Sequence, residues 1–243
     1  MKPKDVAPDV KCLLVDLDGT LLGAYDVFAR IRFIRKMLWV LRKYGGWLVA
    51  LKTLMAVQGV FKRSPRGRPR TNAEKAARVM AAGLKLPVAQ SEKLMNDTLG
   101  GIFPTLKRFF YPMPGAREFL EWAKPRYPMV LATNPVWPLE IIEMRVKWAG
   151  IDPSIFRSIT HARRMHSCKP ELAYYRQILK EEGFEPRQCL LIGNDVKNDL
   201  PAVNAGIPVF VVTGKAGLKK ITVPKGAAQA WSGDFKALRK FLA

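Results

Sequence analysis

The chain has 243 residues, of which 49% are hydrophobic and 25% are charged, and this balance excludes mainly disordered, collagen-like and disulfide-stapled chains. The 41 Lys and Arg residues outnumber the 20 Asp and Glu residues, which gives a formal net charge of +21. Such a charge favours an anionic partner, without deciding between a phosphorylated metabolite, a nucleic acid and an acidic membrane surface.

The chain begins with a predicted strand. Residues 10–15 form a short apolar run, and a polar string, Asp16-Leu-Asp-Gly-Thr20, follows it directly. A continuous apolar strand is typical of a parallel sheet that is buried on both faces. We therefore expect this strand inside a sheet, with Asp16 and Asp18 at its carboxyl end.

Residues 22–112 predict helices and no strand. This segment carries a net charge of +14, so most of the excess positive charge of the chain lies in it. Because it interrupts the chain just after the first strand end, we expect an all-helical insertion that covers the strand ends. A basic loop is predicted at residues 63–70. The helices are expected at residues 25–44, 47–60, 72–83 and 88–103.

After the insertion, strands and helices alternate. This alternation predicts a doubly wound, Rossmann-like parallel sheet of the α/β class, in which ligands bind at the carboxyl ends of the strands. Those ends carry Thr133 and Asp195 in addition to the two aspartates of the first strand. The later strands are expected at residues 128–133, 189–192 and 207–212, and the helices at 115–124, 138–149, 171–182 and 198–205.

The pair Asp16 and Asp18 is the first chemical motif. Two carboxylates this close repel each other unless a proton or a cation lies between them, and Mg²⁺ prefers oxygen ligands of this kind. One carboxylate can then act as a nucleophile and the other as a general acid and base. Alone, an Asp-x-Asp pair is more often a solvated turn, so a function requires further residues.

Three further motifs follow in order along the chain. They are a strand-end threonine, Thr133, a lysine before a helix, Lys169, and an acidic loop after a strand, Gly193-Asn-Asp-Val-Lys-Asn-Asp199. Together with the Asp-Leu-Asp-Gly-Thr string, this set resembles the four motifs of the haloacid dehalogenase superfamily of phosphohydrolases, over nearly the whole chain. The resemblance implies a catalytic core formed by residues 1–21 and 113–243, and a helical cap of the C1 type formed by residues 22–112.

The resemblance also implies catalytic roles. Asp16 would attack phosphorus and form an aspartyl-phosphate, while Asp18 would protonate the leaving oxygen and later take a proton from water. Lys169 would neutralise charge that is shared by the nucleophile and the phosphate. Positive charge is needed there because an aspartate repels a phosphate dianion. Phosphoryl oxygens would be bound by the hydroxyl group of Thr133 and by the backbone N–H groups of Leu17, Asp18 and Asn134.

Mg²⁺ is the cofactor that the resemblance implies. It would be held by a carboxylate oxygen of Asp16, the backbone carbonyl of Asp18 and the acidic loop. In that loop the family usually has an aspartate directly after the glycine, whereas this chain has Asn194 there and Asp195 next. We expect Asp195 to bind the metal directly or through water, with Asp199 orienting a bound water or the motif lysine. The amide oxygen of Asn194 is the alternative ligand.

The predicted function is Mg²⁺-dependent hydrolysis of a small phosphorylated metabolite through an aspartyl-phosphate. Asp18 favours a phosphatase or a phosphomutase over a dehalogenase, because dehalogenases of this superfamily lack the second aspartate. A phosphomutase would use the same core, with a substrate hydroxyl replacing water as the phosphoryl acceptor. The alternative of another class is a basic docking protein for a membrane or a nucleic acid.

The first predicted helix of the insertion mixes basic and large apolar side chains. An amphipathic helix packed on its neighbours explains this pattern, and contact with an anionic membrane surface is the alternative. The longest apolar stretch, residues 47–61, is too short to span a bilayer. The basic loop 63–70 matches no RNA- or DNA-binding motif, so a nucleic-acid partner is not expected. The basic residues of this helix are Arg32, Arg35, Lys36, Arg42 and Lys43.

The amino terminus and the cysteines bear on the compartment. The first residues, MKPKDVAPDV, contain charges but no apolar run, so they do not predict a secretion signal. The three cysteines form no C-x-x-C pair and predict neither a disulfide framework nor a zinc knuckle. Cys12 and Cys189 lie in apolar runs, which leaves Cys168 as the one candidate for a reactive thiol. A reducing, cytoplasmic location is the resulting expectation.

Overall fold

The computed structural model describes residues 9–61 and 70–243, and it combines strands with helices along the whole of that part of the chain. The strands are β1 (Cys12–Val15), β2 (Leu22–Ala24), β3 (Phe110–Pro112), β4 (Met129–Leu131), β5 (Ser158–Ile159), β6 (Cys189–Gly193), β7 (Val209–Val212), β8 (Lys219–Ile221) and β9 (Ala230–Gly233). The α-helices are α1 (Asp26–Leu41), α2 (Gly46–Val60), α3 (Asn72–Leu84), α4 (Val88–Ile102), α5 (Ala116–Ala123), α6 (Leu139–Trp148), α7 (Leu172–Glu182) and α8 (Phe235–Leu242).

Seven of these strands form the central sheet, in the order β5-β4-β1-β6-β7-β9-β8. Neighbouring strands are parallel except at one edge, where β8 runs antiparallel to β9. β1 lies inside the sheet, with Leu14 paired to Val130 of β4 on one side and to Leu191 of β6 on the other. The doubly wound α/β class predicted from the sequence is confirmed.

Apolar side chains fill both faces of the sheet, because successive residues of a strand point in opposite directions. Leu13 and Val15 belong to one buried cluster, which α5, α6 and α8 cover. Cys12 and Leu14 belong to the other, which α7 covers. Burial on both faces explains why the central strands are continuous apolar runs, and it leaves only the strand ends for polar chemistry.

Two kinds of prediction differ from the structure in the core. The helix expected at residues 198–205 is a 3-10 helix, Leu200–Ala205, because Pro201 lies in its first turn and Gly206, at a backbone φ of 84°, ends it. The strands β5, β8 and β9 were not predicted. Each has two to four residues and lacks the continuous apolar run that marks the central strands.

The insertion is helical except at its two ends. Its four predicted helices correspond to α1, α2, α3 and α4, which share a buried apolar cluster that includes Met37, Leu54, Met80 and Leu99. The expectation that the segment contains no strand is wrong, because β2 and β3 pair antiparallel, with Gly23 opposite Tyr111. The chain leaves and re-enters the core side by side there, so each passage provides the backbone partner of the other. The division into a core and a cap at residues 21/22 and 112/113 stays a prediction. The pair formed by β2 and β3 lies next to both of these boundaries.

Two further expectations concern the basic loop and the possibility of a membrane-spanning helix. The basic loop predicted at residues 63–70 lies outside the described residues, apart from Arg70. Within residues 9–61 and 70–243, no helix is both long enough and apolar enough to cross a membrane.

Candidate active site

Three charged side chains from distant parts of the chain meet at the carboxyl end of β1. The amino group of Lys169 donates to Oδ1 of Asp16 at 2.7 Å and to Oδ1 of Asp199 at 2.6 Å. All three side chains are buried. Asp16 directly follows β1, Lys169 precedes α7, and Asp199 follows β6, so the parallel sheet brings them to one edge. The structure thus places one lysine between two carboxylates.

Burial and charge shift the proton affinities of this group. Burial raises the pKa of Asp16 to about 7, with the carboxylates of Asp199 and Asp18 adding to the rise and Lys169 opposing it. Burial alone would lower the pKa of Lys169, but the two carboxylates that it contacts outweigh burial and hold that pKa well above its usual value. Because burial disfavours the ionised form of Asp16, any further positive charge near this carboxylate would stabilise it.

Asp199 positions Lys169 and shapes the acidic loop. Its second oxygen, Oδ2, accepts from the backbone N–H groups of Asn194 and Asp195 at 3.1 and 3.0 Å. A Cβ atom at Gly193 would lie 2.2 Å from this oxygen, so only glycine permits the approach. Both oxygens of Asp199 therefore have donors, and its contact with Lys169 is direct.

Asp195 also bonds within its own loop. Its Oδ1 accepts from the backbone N–H groups of Lys197 at 2.8 Å and Asn198 at 3.3 Å, and its Oδ2 accepts from the side-chain amide of Asn198 at 2.5 Å. These contacts resemble an Asx turn, in which the carboxylate stabilises the local backbone. The metal-binding roles expected for Asp195 and Asp199 stay predictions.

The donor set beside Asp16 fits a magnesium ion. The hydroxyl group of Thr20 lies 3.4 Å from Oδ2 of Asp16 and 3.1 Å from Oδ1 of Asn194. One hydroxyl has one hydrogen, so it leaves at least one of these oxygens without a donor. Gly19, with a φ of 77°, permits the approach, because a Cβ there would lie 2.2 Å from the Asn194 amide.

The ligand atoms beside Asp16 are carboxylate and amide oxygens. Within the described parts of the chain, no group of three or more His, Cys, Asp or Glu side chains could hold a metal ion. Mg²⁺ is bound through one or two carboxylates and keeps several waters, so Asp16 and Asn194 suit it.

Unpaired hydrogen-bond donors surround the same point. The hydroxyl of Thr133 is buried and has no partner among the described residues, while the carbonyl of Thr133 is fixed by the hydroxyls of Thr160 at 2.7 Å and Tyr174 at 2.9 Å. None of the hydrogen bonds found in the described chain uses the backbone N–H of Leu17, Asp18 or Asn134. Buried polar groups are normally paired, so the unpaired hydroxyl of Thr133 beside these backbone N–H groups fits an anion site.

Arg145 is a site residue that the sequence interpretation missed. It lies on α6, is buried, and one terminal nitrogen donates to Oδ1 of Asp18. Its Nε and other terminal nitrogen are buried without a partner among the described residues. One sequence feature could have identified it. Arg145 lies on the stripe of α6 that also holds the buried Ile142 and Val146, a position where an arginine requires a partner.

Two cavity walls enclose this site. A cavity of about 1090 Å³ is lined on the core side by polar residues that include Asp18, Asn134, Arg145 and Lys169, and on the other side by α1, α2 and α4 of the insertion.

The cysteines do not provide the reactive thiol for which Cys168 was the candidate. Burial raises the pKa of Cys168 to about 12, which disfavours a thiolate, and all three cysteines are free and buried.

Comparison with known proteins agrees with the motifs. Residues 10–215 match the family described as haloacid dehalogenase-like hydrolases. No curated protein matched the chain by sequence.

Several solved structures are similar to the chain in fold. A 2-haloacid dehalogenase from Pseudomonas syringae has 17% identity and a TM-score of 0.63, over 96% of this chain and 98% of that one. A HAD phosphatase from Thermococcus onnurineus has 18% identity and a TM-score of 0.59, over 96% and 98%. A putative HAD-hydrolase from Bacillus subtilis, bound to magnesium, has 17% identity and a TM-score of 0.53, over 96% and 98%. The motifs, the sheet and the family match together show that the chain belongs to the haloacid dehalogenase-like hydrolases.

Proposed function

We propose that this hydrolase cleaves phosphate monoesters through an aspartyl-phosphate on Asp16, with Mg²⁺ as cofactor. The observation that carries the proposal is the position of Asp16. Its buried carboxylate is held by Lys169 and lies at the strand end beside the unpaired donors of Thr133, Leu17 and Asn134. A nucleophile, a fixed positive charge and donors for an anion at the same strand ends support this reaction.

The proposed reaction follows from these groups. Asp16 attacks phosphorus, the bond to the leaving oxygen breaks, and Asp18 protonates that oxygen. Water then attacks the aspartyl-phosphate while Asp18 accepts its proton, which regenerates Asp16 and releases phosphate. Lys169 and the unpaired donors bind the phosphoryl oxygens, whose charge is spread over three positions in a loose transition state.

Mg²⁺ would be bound by the carboxylate of Asp16 and the amide oxygen of Asn194, with the backbone carbonyl of Asp18 as the ligand that the family resemblance adds. When bound, it supplies positive charge that offsets repulsion between carboxylate and phosphate. Asn194 in place of a carboxylate gives the protein ligands one negative charge fewer, and a weaker affinity for the ion follows.

Asp18 supports phosphate chemistry over the release of halide, although a dehalogenase is among the similar structures. A second carboxylate is needed to protonate an alkoxide leaving group, whereas a halide leaves without a proton. Arg145 holds Asp18 at the cavity wall and so positions it towards the leaving group. We also propose a cytoplasmic location, which the three free, buried cysteines support.

Phosphate release from an aryl phosphate tests the proposal. Wild type should release phosphate with Mg²⁺ and stop when EDTA is added, and Asp16→Asn should be inactive. Asp97→Asn, an exposed aspartate on α4, is the matched control and should keep full activity. Turnover by Asp16→Asn, chloride release from a 2-haloacid, or isomerisation of a sugar phosphate without phosphate release would each contradict the proposal.

A further inference from the structure

The wall that the insertion contributes to the cavity is mainly apolar. Side chains from three helices line it, namely Phe33 and Met37 of α1, Leu54 and Val57 of α2, and Met95 and Leu99 of α4. The polar residues of the insertion that line this wall are Asp26 and Arg30 of α1 and Gln58 of α2. The phosphate-binding groups lie on the opposite wall, so the cavity has one polar side and one mainly apolar side.

The size and lining of the cavity specify a kind of leaving group. At about 1090 Å³, the cavity is far larger than a phosphoryl group and matches the upper range of cavities that enclose whole small-molecule ligands. A sugar or another polyol would bury hydroxyl groups against Phe33, Leu54 and Leu99, where hydrogen-bond partners are scarce, and each unpaired hydroxyl weakens binding. An aliphatic group would bury its methylenes there favourably.

We propose that the substrate is the phosphate monoester of a long-chain aliphatic alcohol, that is, a lipid phosphate, in place of the small metabolite expected from the sequence. This proposal rests on the proposed function. The phosphate lies against Lys169 and Thr133, and the alkyl chain extends between α1, α2 and α4.

A series of alkyl phosphates tests this substrate class. Phosphate release from ethyl, butyl and hexyl phosphate should show kcat/KM rising by up to about fourfold per methylene. Glycerol phosphate should be a poorer substrate than butyl phosphate. A flat or falling series, together with Asp16-dependent turnover of an aryl phosphate, would overturn the lipid substrate and leave the phosphatase intact. No phosphate release from any ester would overturn the proposed function, and the substrate class with it.

Two variants on α2 distinguish the loss of contact with the alkyl chain from a general loss of activity. Val57→Trp should shorten the cavity and remove the advantage of hexyl over ethyl phosphate in kcat/KM. Val60→Trp, which is also half-buried on α2 but does not line the cavity, should keep the wild-type series. Equal behaviour of the two variants would contradict the placement of the alkyl chain.

A different observation concerns the outer surface of the insertion. Of the 14 large apolar side chains that the described chain exposes, 10 lie between Tyr25 and Met55, so the exposure is concentrated on α1, α2 and the turn that joins them. We call this surface the α1–α2 face. Phe28, Trp39 and Trp47 are more than half exposed on it. Isolated exposed apolar residues are common, but a concentrated group of this size marks a binding surface.

Basic side chains surround these apolar residues. Arg35 and Lys36 line a groove of about 950 Å³ together with Phe28, Trp39 and Trp47. The guanidinium of Arg42 lies 3.8 Å from the centre of the Trp39 ring, while Asp26 is the single acidic residue from 25 to 60. Positive charge and aromatic rings on the same face are complementary to the headgroup region of an anionic bilayer.

We infer that the α1–α2 face docks on the surface of an anionic lipid bilayer. The two tryptophans and Phe28 insert among the headgroups, and Arg35, Lys36 and Lys43 contact the lipid phosphates. This inference is independent of catalysis, since it rests on exposure and charge alone. α1 separates the face from the apolar cavity, because Phe33 and Met37 line the cavity while Phe28 and Trp39 lie on the outer side of the same helix.

Co-sedimentation with vesicles tests the docking surface. The inactive Asp16→Asn protein should pellet with equimolar phosphatidylcholine and phosphatidylglycerol vesicles, less so as salt rises, and should stay in solution with phosphatidylcholine alone. Arg35→Glu combined with Lys36→Glu, and separately Trp47→Ser combined with Leu48→Ser, should each weaken partitioning at least about tenfold. Leu218→Ser combined with Lys219→Glu, an exposed apolar and basic pair on the core, should have no effect.

Other occupants of the face would be recognised in the same experiment. A failure to pellet with anionic vesicles, an equal loss in the Leu218 and Lys219 control, or retention of an oligonucleotide in place of vesicles would overturn the inference. A concentration-dependent dimer that Trp47→Ser combined with Leu48→Ser converts to monomer would overturn it as well, in favour of a second copy of the chain.

Discussion

The strand-end site and the α1–α2 face reverse the usual distribution of side chains in opposite ways. At the strand ends, Asp16, Lys169 and Asp199 are charged and buried. On the α1–α2 face, Trp39 and Trp47 are large, apolar and exposed. Neither arrangement is favourable for folding alone, because buried charges lose hydration and exposed apolar surface gains nothing. Each is best explained by something that binds there.

The two regions differ in how far the chain supplies its own partners. In the strand-end site, Asp16, Lys169 and Asp199 each have an opposite charge within 2.7 Å. On the α1–α2 face, Trp39 and Trp47 pack against each other and Arg42, and both stay more than half exposed. Substitutions should therefore cost much stability in the first region and very little in the second.

The largest effect is expected for Lys169→Ala. Removal of the lysine leaves Asp16 and Asp199 buried side by side without a counter-charge, which should cost about 3–5 kcal/mol of unfolding free energy and abolish phosphate release. Thermal unfolding and an aryl phosphate assay measure the two losses. Lys220→Ala, an exposed lysine on β8, should change neither. A Lys169→Ala protein as stable as wild type would show that the strand-end charges are less strongly coupled than their distances imply.

The next effect is a gain of stability in Asp16→Asn. The pKa of Asp16 is 3.8 in the unfolded chain and about 7 in the folded protein. Between these pH values the native state of wild type therefore loses stability as pH rises. Asparagine does not ionise, so the stability advantage of the variant should grow from about pH 4 to about pH 7 and then stay level, at no more than about 4 kcal/mol. Thermal unfolding in EDTA across this range is the measurement, with Asp97→Asn as control. A variant less stable than wild type above about pH 7 would be the opposite result.

Arg145→Met should affect catalysis more than stability. Methionine keeps much of the apolar stem, while the half-exposed carboxylate of Asp18 can be hydrated when its partner is lost. The loss of a positioning contact and two free donors should lower kcat/KM for an aryl phosphate by about 10–100-fold. Arg145→Lys should recover part of that loss through its charge. Unchanged kinetics in Arg145→Met would mean that catalysis does not depend on Arg145 and that the functional charges are those of Asp16, Lys169 and Asp199.

The smallest effect is expected on the α1–α2 face. Trp47→Ser combined with Leu48→Ser should change unfolding free energy by less than about 1 kcal/mol, since exposed positions contribute about 0.5 kcal/mol or less each. Differential scanning calorimetry of the lipid-free protein checks this. A large destabilisation would mean that these side chains are part of the folded core of the insertion, and the contrast between the two regions would fail.

Much of the core could be predicted because its signals are local. Continuous apolar runs identify β1, β4, β6 and β7, and the polar residues that follow them must meet at one edge of a parallel sheet. The contact of Lys169 with Asp16, 153 residues apart, was expected only from the family resemblance, because Lys169 precedes a helix and does not end a strand. Arg145 could not be found in this way, because its contact with Asp18 depends on how α6 packs against the sheet.

The insertion shows where a pattern is insufficient. An amphipathic pattern predicts α1 correctly, but it does not tell which apolar side chains neighbouring helices will cover. Phe33 and Met37 face the cavity and the buried cluster, whereas Phe28 and Trp39, which are also large and apolar, stay exposed. The pairing of β2 with β3 was also beyond the pattern, since three-residue strands have too few residues for alternation to be visible.

Trapping of the covalent intermediate is the most direct test of the central claim. Wild type is mixed with a radiolabelled phosphate monoester and Mg²⁺ and quenched in acid during turnover, and the labelled peptide is identified by mass spectrometry. We predict one acid-stable phosphoryl group on Asp16, absent from Asp16→Asn and from wild type in EDTA. Steady turnover with no label on the protein, or label on a residue other than Asp16, would contradict the account.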